Sequence, residues 1–145
     1  MKKLILLLLF ILFFAIAPLL CFSQGMKIKW EDSSGREFSI NTHTRNFEYS
    51  MIAGDRIYYN SAYSGGPEGK VKSIGNVNIY YNSAYSGGPE GSVKSVGNVK
   101  IYYNSTYSGG PVGTVKSVGG LKVYYNSSYS GGPEGSIRRT IGSVN

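Results

Sequence analysis

The sequence predicts an all-β protein of tandem antiparallel hairpins, and three observations predict it. The chain aligns on itself at an offset of 22 residues from Ile57 to its end. Each unit holds two short runs rich in β-branched and aromatic residues, separated by a two-residue turn that begins with glycine. No segment beyond the first 23 residues carries helical periodicity.

Those first residues form an element of their own. Lys2-Lys3 precede an unbroken apolar run from Leu4 to Ala17, followed by Pro18 and polar Ser23-Gln24, the layout of a secretory signal peptide over residues 1–23. The run falls short of the roughly 20 residues that a spanning helix needs, so removal near Ser23-Gln24 is favoured over a retained anchor. Cys21, the single cysteine, leaves with the leader. Leu20 before it is bulkier than the small residue that lipid-modification sites prefer. A chain without thiols has no disulfide or thiolate chemistry and relies on packing and hydrogen bonds. The expected location is secreted, periplasmic or cell envelope.

Roughly 121 residues then remain, enough for one module of modest core. Without Lys2 and Lys3, 13 basic residues face 8 acidic ones, a net charge of +5. Spread over that length the field is weak, and it serves solubility as readily as attraction to an anionic polymer.

Residues 24–56 read as an N-terminal β-hairpin cap. Met26–Glu31 and Arg36–Ile40 alternate around Asp32-Ser33-Ser34-Gly35, a turn sequence. Phe47, Tyr49 and Met51 alternate again, and Ala53-Gly54-Asp55 stands where Gly-Asn stands later. This third strand is therefore expected to lead into the array as each repeat leads into the next.

The array itself comprises units 57–78, 79–100, 101–122 and 123–145. The last is one residue longer and reads as an end cap, without an obvious element to block edge-to-edge association. Within the second and third units, Val93–Val96 and Val99–Tyr103 flank Gly97-Asn98, a tight hairpin. Strict alternation across that turn sets Val96 opposite Val99, Lys94 opposite Ile101 and Ser92 opposite Tyr103 on the core face. Val93 with Tyr102 and Ser95 with Lys100 fall on the other face. Lys94 intrudes on the core face and is expected to lay its stem over it. Asn104 to Pro111 forms a longer polar loop. A meander of hairpins, as an extended sheet or sandwich, is favoured over a β-solenoid of 22-residue coils, which would stack Asn60, Asn82, Asn104 and Asn126 in a ladder.

Residues 93–103, Val-Lys-Ser-Val-Gly-Asn-Val-Lys-Ile-Tyr-Tyr, resemble the tandem short repeats of secreted proteins from Bacteroidetes-type bacteria, which carry a similar K-S-I-G-N … Y-Y core. The resemblance covers residues 52–145. It implies export and a β-repeat fold and carries no assigned activity. A fainter likeness is to the aromatic hairpins of choline- and glucan-binding repeats. Those depend on paired tryptophans, whereas the one tryptophan here, Trp30, lies outside the array.

The residues point away from catalysis. His43, the one histidine, reads as solvated or structural, and no nucleophile motif frames it. Glu68, Glu90 and Glu134 recur in the loops but the third unit has Val112 there, which argues against a per-unit catalytic or calcium-binding carboxylate. The Ser-Gly-Gly-Pro-x-Gly loop lacks the lysine and hydroxyl spacing of a phosphate cradle. No cofactor and no metal are expected.

Tyrosine carries the functional expectation, since 12 of the 13 lie in the repeats, three per unit. Tyr58, Tyr80, Tyr102 and Tyr124 fall opposite the proposed core, and Tyr63, Tyr85, Tyr107 and Tyr129 fall in the loops. Both rows are candidate stacking surfaces for sugars or bases. Tyr59, Tyr81, Tyr103 and Tyr125 are expected to pack. Lys72, Lys94, Lys116 and Arg138 form a candidate anion-binding row, or a guard against edge pairing. The sequence thus predicts an exported, non-catalytic structural or adhesive protein, with carbohydrate binding through tyrosines and anionic-polymer binding through the basic row as alternatives. Candidate partners are a glycan or other cell-surface polymer, or further copies of the chain, with membrane contact only through the cleaved leader.

Overall fold

Alternating residues build the first sheet. In Lys27–Glu31 (β1) Ile28 and Trp30 turn inward. In Glu37–Asn41 (β2) Phe38 and Ile40 meet them across an antiparallel pairing that sets Trp30 opposite Phe38. Phe47–Tyr49 (β3) pairs with β2, Ile40 opposite Phe47, and the rings of Trp30, Phe38 and Phe47 stack in sequence. The computed structural model describes residues 25–145, so the expected leader, Cys21 and the cleavage position lie outside the described residues.

The repeats form the second sheet. Its strands are Ile57–Tyr59 (β4), Val71–Ile74 (β5), Val77–Tyr81 (β6), Val93–Val96 (β7), Val99–Tyr103 (β8), Val115–Val118 (β9), Leu121–Tyr125 (β10) and Ile137–Ile141 (β11). Each pairs antiparallel with its neighbours in chain order, a meander of eight strands beside the three-stranded sheet. The solenoid alternative does not hold, because its coils would pair in parallel. Asn60, Asn82 and Asn104 are buried. Instead of a ladder, Asn82 and Asn104 each bond a hydroxyl of their own loop.

The two-residue turn behaves as expected, with Val96 opposite Val99 and Ser95 opposite Lys100. The rest of the strict alternation does not. Toward its other neighbour β7 pairs Tyr80 with Ser95 and Tyr81 with Val93, so Lys94 is the extra residue of a β-bulge. The bulge turns Val93 into the core and Lys94 out to solvent, which corrects both expectations for those residues. The same shift recurs at Tyr58/Tyr59, Tyr102/Tyr103 and Tyr124/Tyr125. A V-K-S-V strand with valines three apart can bury both only by such an insertion.

The third strand also departs from expectation. β3 belongs to the first sheet and does not continue into β4. Asp55 explains the break: its carboxylate accepts Arg36 Nε and Nη2 at 2.9 and 2.7 Å and the Ile52 N–H at 3.1 Å, folding residues 52–55 back on β2. Arg36 is itself buried and donates Nη1 to Asp32 at 2.9 Å. Bonding to the Arg36 guanidinium holds the Asp55 carboxyl below the ordinary aspartate range.

The first sheet packs against the array. Its buried residues and those of the repeats form one core that includes Ile28, Trp30, Phe38, Ile40, Val93, Val115 and Val118. It is tied to the third and fourth units. The Val115 N–H, beside the bulge, donates to Thr42 O at 2.8 Å, and Arg45 Nη1 donates to Gly113 O at 3.2 Å. His43 Nε2 lies 3.0 Å from Gly135 O, a carbonyl that only accepts, so Nε2 carries the proton. The His43 ring also meets Tyr125 edge-on.

The C-terminal residues lie against the tight turn of the third unit. A Cβ on Gly119 would collide with Val144 O, and one on Gly120 would stand 2.8 Å from Ser143 O. The tail therefore lies on this turn, which explains why the third unit reads Gly-Gly where the first two read Gly-Asn.

Candidate functional site

Each loop of the array is held by its own hydrogen bonds. The Asn82 N–H donates to Ser92 O and the Gly91 N–H to Asn82 O, both at 2.8 Å, closing the base. Ser83 N–H donates to Ser86 Oγ at 3.0 Å, a serine turn that leaves Tyr85 at the tip. Ser92 Oγ donates to Pro89 O. The same bonds recur in the third unit with Thr114 in place of serine. The tip tyrosines Tyr63, Tyr85, Tyr107 and Tyr129 have nothing to pack on and are 97–99 % exposed.

Glycine lets the loop lie back on the next unit. A Cβ on Gly88 would stand 2.6 Å from Asn82 Nδ2 and 2.9 Å from Tyr103 Cδ2, and Gly110 repeats this with Asn104 and Tyr125. Neighbouring loops also meet, since a Cβ on Gly113 would touch Pro89 at 3.5 Å and one on Gly135 would touch Pro111 at 3.2 Å.

This folding opens one cleft at each boundary between units. In the second, Ser86, Gly87 and Gly88 form one wall, Asn82, Ile101 and Tyr103 the floor, and Lys94, Ser95, Lys100 and Tyr102 the rim. Equivalent residues line the first cleft, around Lys72 and Tyr80, and the third, around Lys116 and Tyr124. The three enclose about 100, 210 and 360 Å³ in chain order. With two strands per unit they recur every roughly 10 Å.

The clefts join two rows that the sequence kept apart. Lys94 of one unit and Tyr102 of the next share a cleft because the bulge swings the lysine out of the ladder. Tyr80, Tyr102 and Tyr124 present partly exposed rings there. Two members of the rows stand outside the clefts. Tyr58 precedes the first boundary, and Arg138 follows the last. Arg139 rather than Arg138 engages the aromatic row, its guanidinium 5.0 Å from the Tyr124 ring centre. The tip tyrosines do not line the clefts at all.

The sequence reading missed Lys100 and Lys122, which stand two residues before Tyr102 and Tyr124 and so on the same strand face. That spacing was available as a signal. In the first unit the position is Asn78, so the first cleft has one lysine and the others two. At the floor, Tyr103 donates its hydroxyl to Val93 O at 2.6 Å, and burial pushes its phenol up to about 12. The phenol is a fixed neutral donor at physiological pH. The expected packing of this row holds for Tyr103 and Tyr125 but fails for Tyr59, which is 58 % exposed because no unit precedes it.

Among the described residues, no group of three or more His, Cys, Asp or Glu side chains is placed to hold a metal ion, and no helix is long and apolar enough to cross a membrane. No protein-family description, curated protein or solved structure matches the chain.

Proposed function

We propose that the array is a non-catalytic binding module for an extended acidic polysaccharide, acting outside the cytoplasm as an adhesive element of the cell envelope or its surroundings. The observation that carries this reading is the threefold recurrence of one constellation: a partly exposed tyrosine, a lysine thrown out by a bulge, and serine and glycine backbone in a cleft. A tyrosine face stacks on the apolar face of a sugar ring, contributing on the order of 1 kcal/mol per contact. The lysines beside it answer a carboxylate or sulfate on the same polymer. Repetition at a roughly 10 Å pitch suits a polymer, because linked weak contacts reinforce one another. Export rests on the leader-like residues 1–23.

The test is a binding screen of the purified protein against neutral and acidic glycans at low and high salt. The expected result is a preference for acidic glycan that weakens with salt but does not vanish. The Tyr102→Ala/Tyr124→Ala double variant is expected to bind about thirtyfold more weakly. Equal binding by that variant, or a silent screen, overturns the reading and leaves the array as a structural element.

A further inference from the structure

A groove of about 800 Å³ lies between β3 and the loops of the first two units. Two cations reach it, Arg45 from the first sheet and Lys70 from the first repeat. Tyr49, Tyr81, Glu90 and Ser92 are among its other polar and aromatic lining residues. It shares no cation with the repeated clefts.

Both cations occupy positions where the fold favours another residue. Arg45 has φ 61°, in the left-handed region where glycine or asparagine is at ease, and a long side chain there costs on the order of 1 kcal/mol. Lys70 departs from the repeat. The equivalent residues Ser92, Thr114 and Ser136 each accept the amide N–H of their unit's Asn82, Asn104 or Asn126 at 2.9–3.0 Å. Lysine accepts no hydrogen bond, so Asn60 Nδ2 is buried without a partner. An orphaned buried amide costs about 1–3 kcal/mol. Lys70 instead sends its ammonium to Gly91 O at 2.8 Å and over the Tyr81 ring, 5.5 Å from its centre. Two destabilising choices that bring positive charge to one groove call for a common reason, and structural strain of this kind gathers at functional sites.

We infer that this groove binds a single acidic sugar unit. Its oxyanion sits between Arg45 and Lys70, its ring lies against Tyr81 and Tyr49, and its hydroxyls reach Glu90 and Ser92. Arg45 spends one N–H on Gly113 O, leaving the rest of its planar fork for an oxyanion. Glu90 accepts from hydroxyls and disfavours a second anionic group. The site does not depend on the polymer-binding reading and stands or falls by itself.

The experiment titrates glucuronate, glucose 6-phosphate and glucose into the purified protein, followed by amide chemical shifts. Binding of an acidic sugar at least about tenfold tighter than glucose, with shifts at residues 45, 70 and 81, is expected, since charge-assisted bonds add more than a neutral pair. The two acidic probes distinguish carboxylate from phosphate. The Lys70→Ser variant keeps the fold, because serine is the residue at this position in two other units, and it restores the partner of Asn60. It is expected to lose acidic-sugar binding while its melting temperature is unchanged or higher. Tyr102→Ala/Tyr124→Ala leaves this binding intact. Undiminished binding by Lys70→Ser, equal affinity for glucose, or no binding of any probe overturns the inference.

Discussion

The hydroxyl of Tyr103 donates to the carbonyl of Val93 ten residues back, across the tight hairpin, at a distance of 2.6 Å, and Tyr81 and Tyr125 make the equivalent bond to Val71 and Val115. Each tyrosine thus fastens its strand to the bulged valine of the strand before. Tyr103→Phe removes the buried bond and little volume, so it is expected to cost about 1 kcal/mol. Tyr59→Phe, at the exposed start of the array, is expected to change stability by well under half of that. Urea unfolding of the two variants checks the contrast, and equal losses would refute this role for the hydroxyl.

Two glycines of one loop motif are needed for different reasons. A Cβ at position 110 collides with Asn104 Nδ2 at 2.5 Å and Tyr125 Cδ2 at 2.8 Å, whereas at position 65 it meets open space but a φ of +73°. Gly110→Ala is expected to destabilise by about 1–3 kcal/mol through overpacking and to shift the resonances of Asn104 and Tyr125. Gly65→Ala is expected to cost about 1 kcal/mol through backbone strain alone and to leave its surroundings in place. A Gly110→Ala variant as stable as Gly65→Ala would show that the loop does not rest on the next unit.

Stability should fall at both ends of the pH scale, from identifiable groups. Burial raises the phenols of Tyr81 and Tyr103 to about 12 from an ordinary value of 10.0. Their contribution is full below pH 10 and is lost as the pH climbs toward about 12, because the unfolded chain ionises first. The Asp55 carboxyl is lowered by its bonds to Arg36, so its contribution is present above the ordinary value of 3.8 and is lost as the pH falls below it. Denaturant titrations across pH should show Tyr103→Phe flattening the alkaline limb and Asp55→Asn the acid limb. A limb unchanged by its variant would assign the loss to other groups.

Strands and turns were legible because they are local. Val93–Val96 and Val99–Tyr103 carry β-branched runs on either side of a two-residue turn, and the structure places β7 and β8 on those residues. The face of Val93 was not legible from alternation, because the bulge is set by pairing across the long loop rather than across the tight turn. The spacing of its valines held the clue. The tyrosine and lysine rows were visible as rows, but their meeting in one cleft depends on the bulge and on a glycine that lets a loop lie on its neighbour. Arg45 left no trace in the sequence pattern, since the groove exists only after the first sheet folds across the repeats.

The span of that first sheet has a consequence for how the gene can vary. Near-identical tandem segments invite unequal recombination, which adds or deletes whole units. Here Arg45 and His43 reach the carbonyls of Gly113 and Gly135 in the third and fourth loops, while the Arg36–Asp55 pair rests against the turn at Gly75 in the first unit. Deleting or inserting one unit between these contacts moves one set by roughly 10 Å relative to the other. The non-repeating segment therefore works as a gauge of length, matched to an array of four.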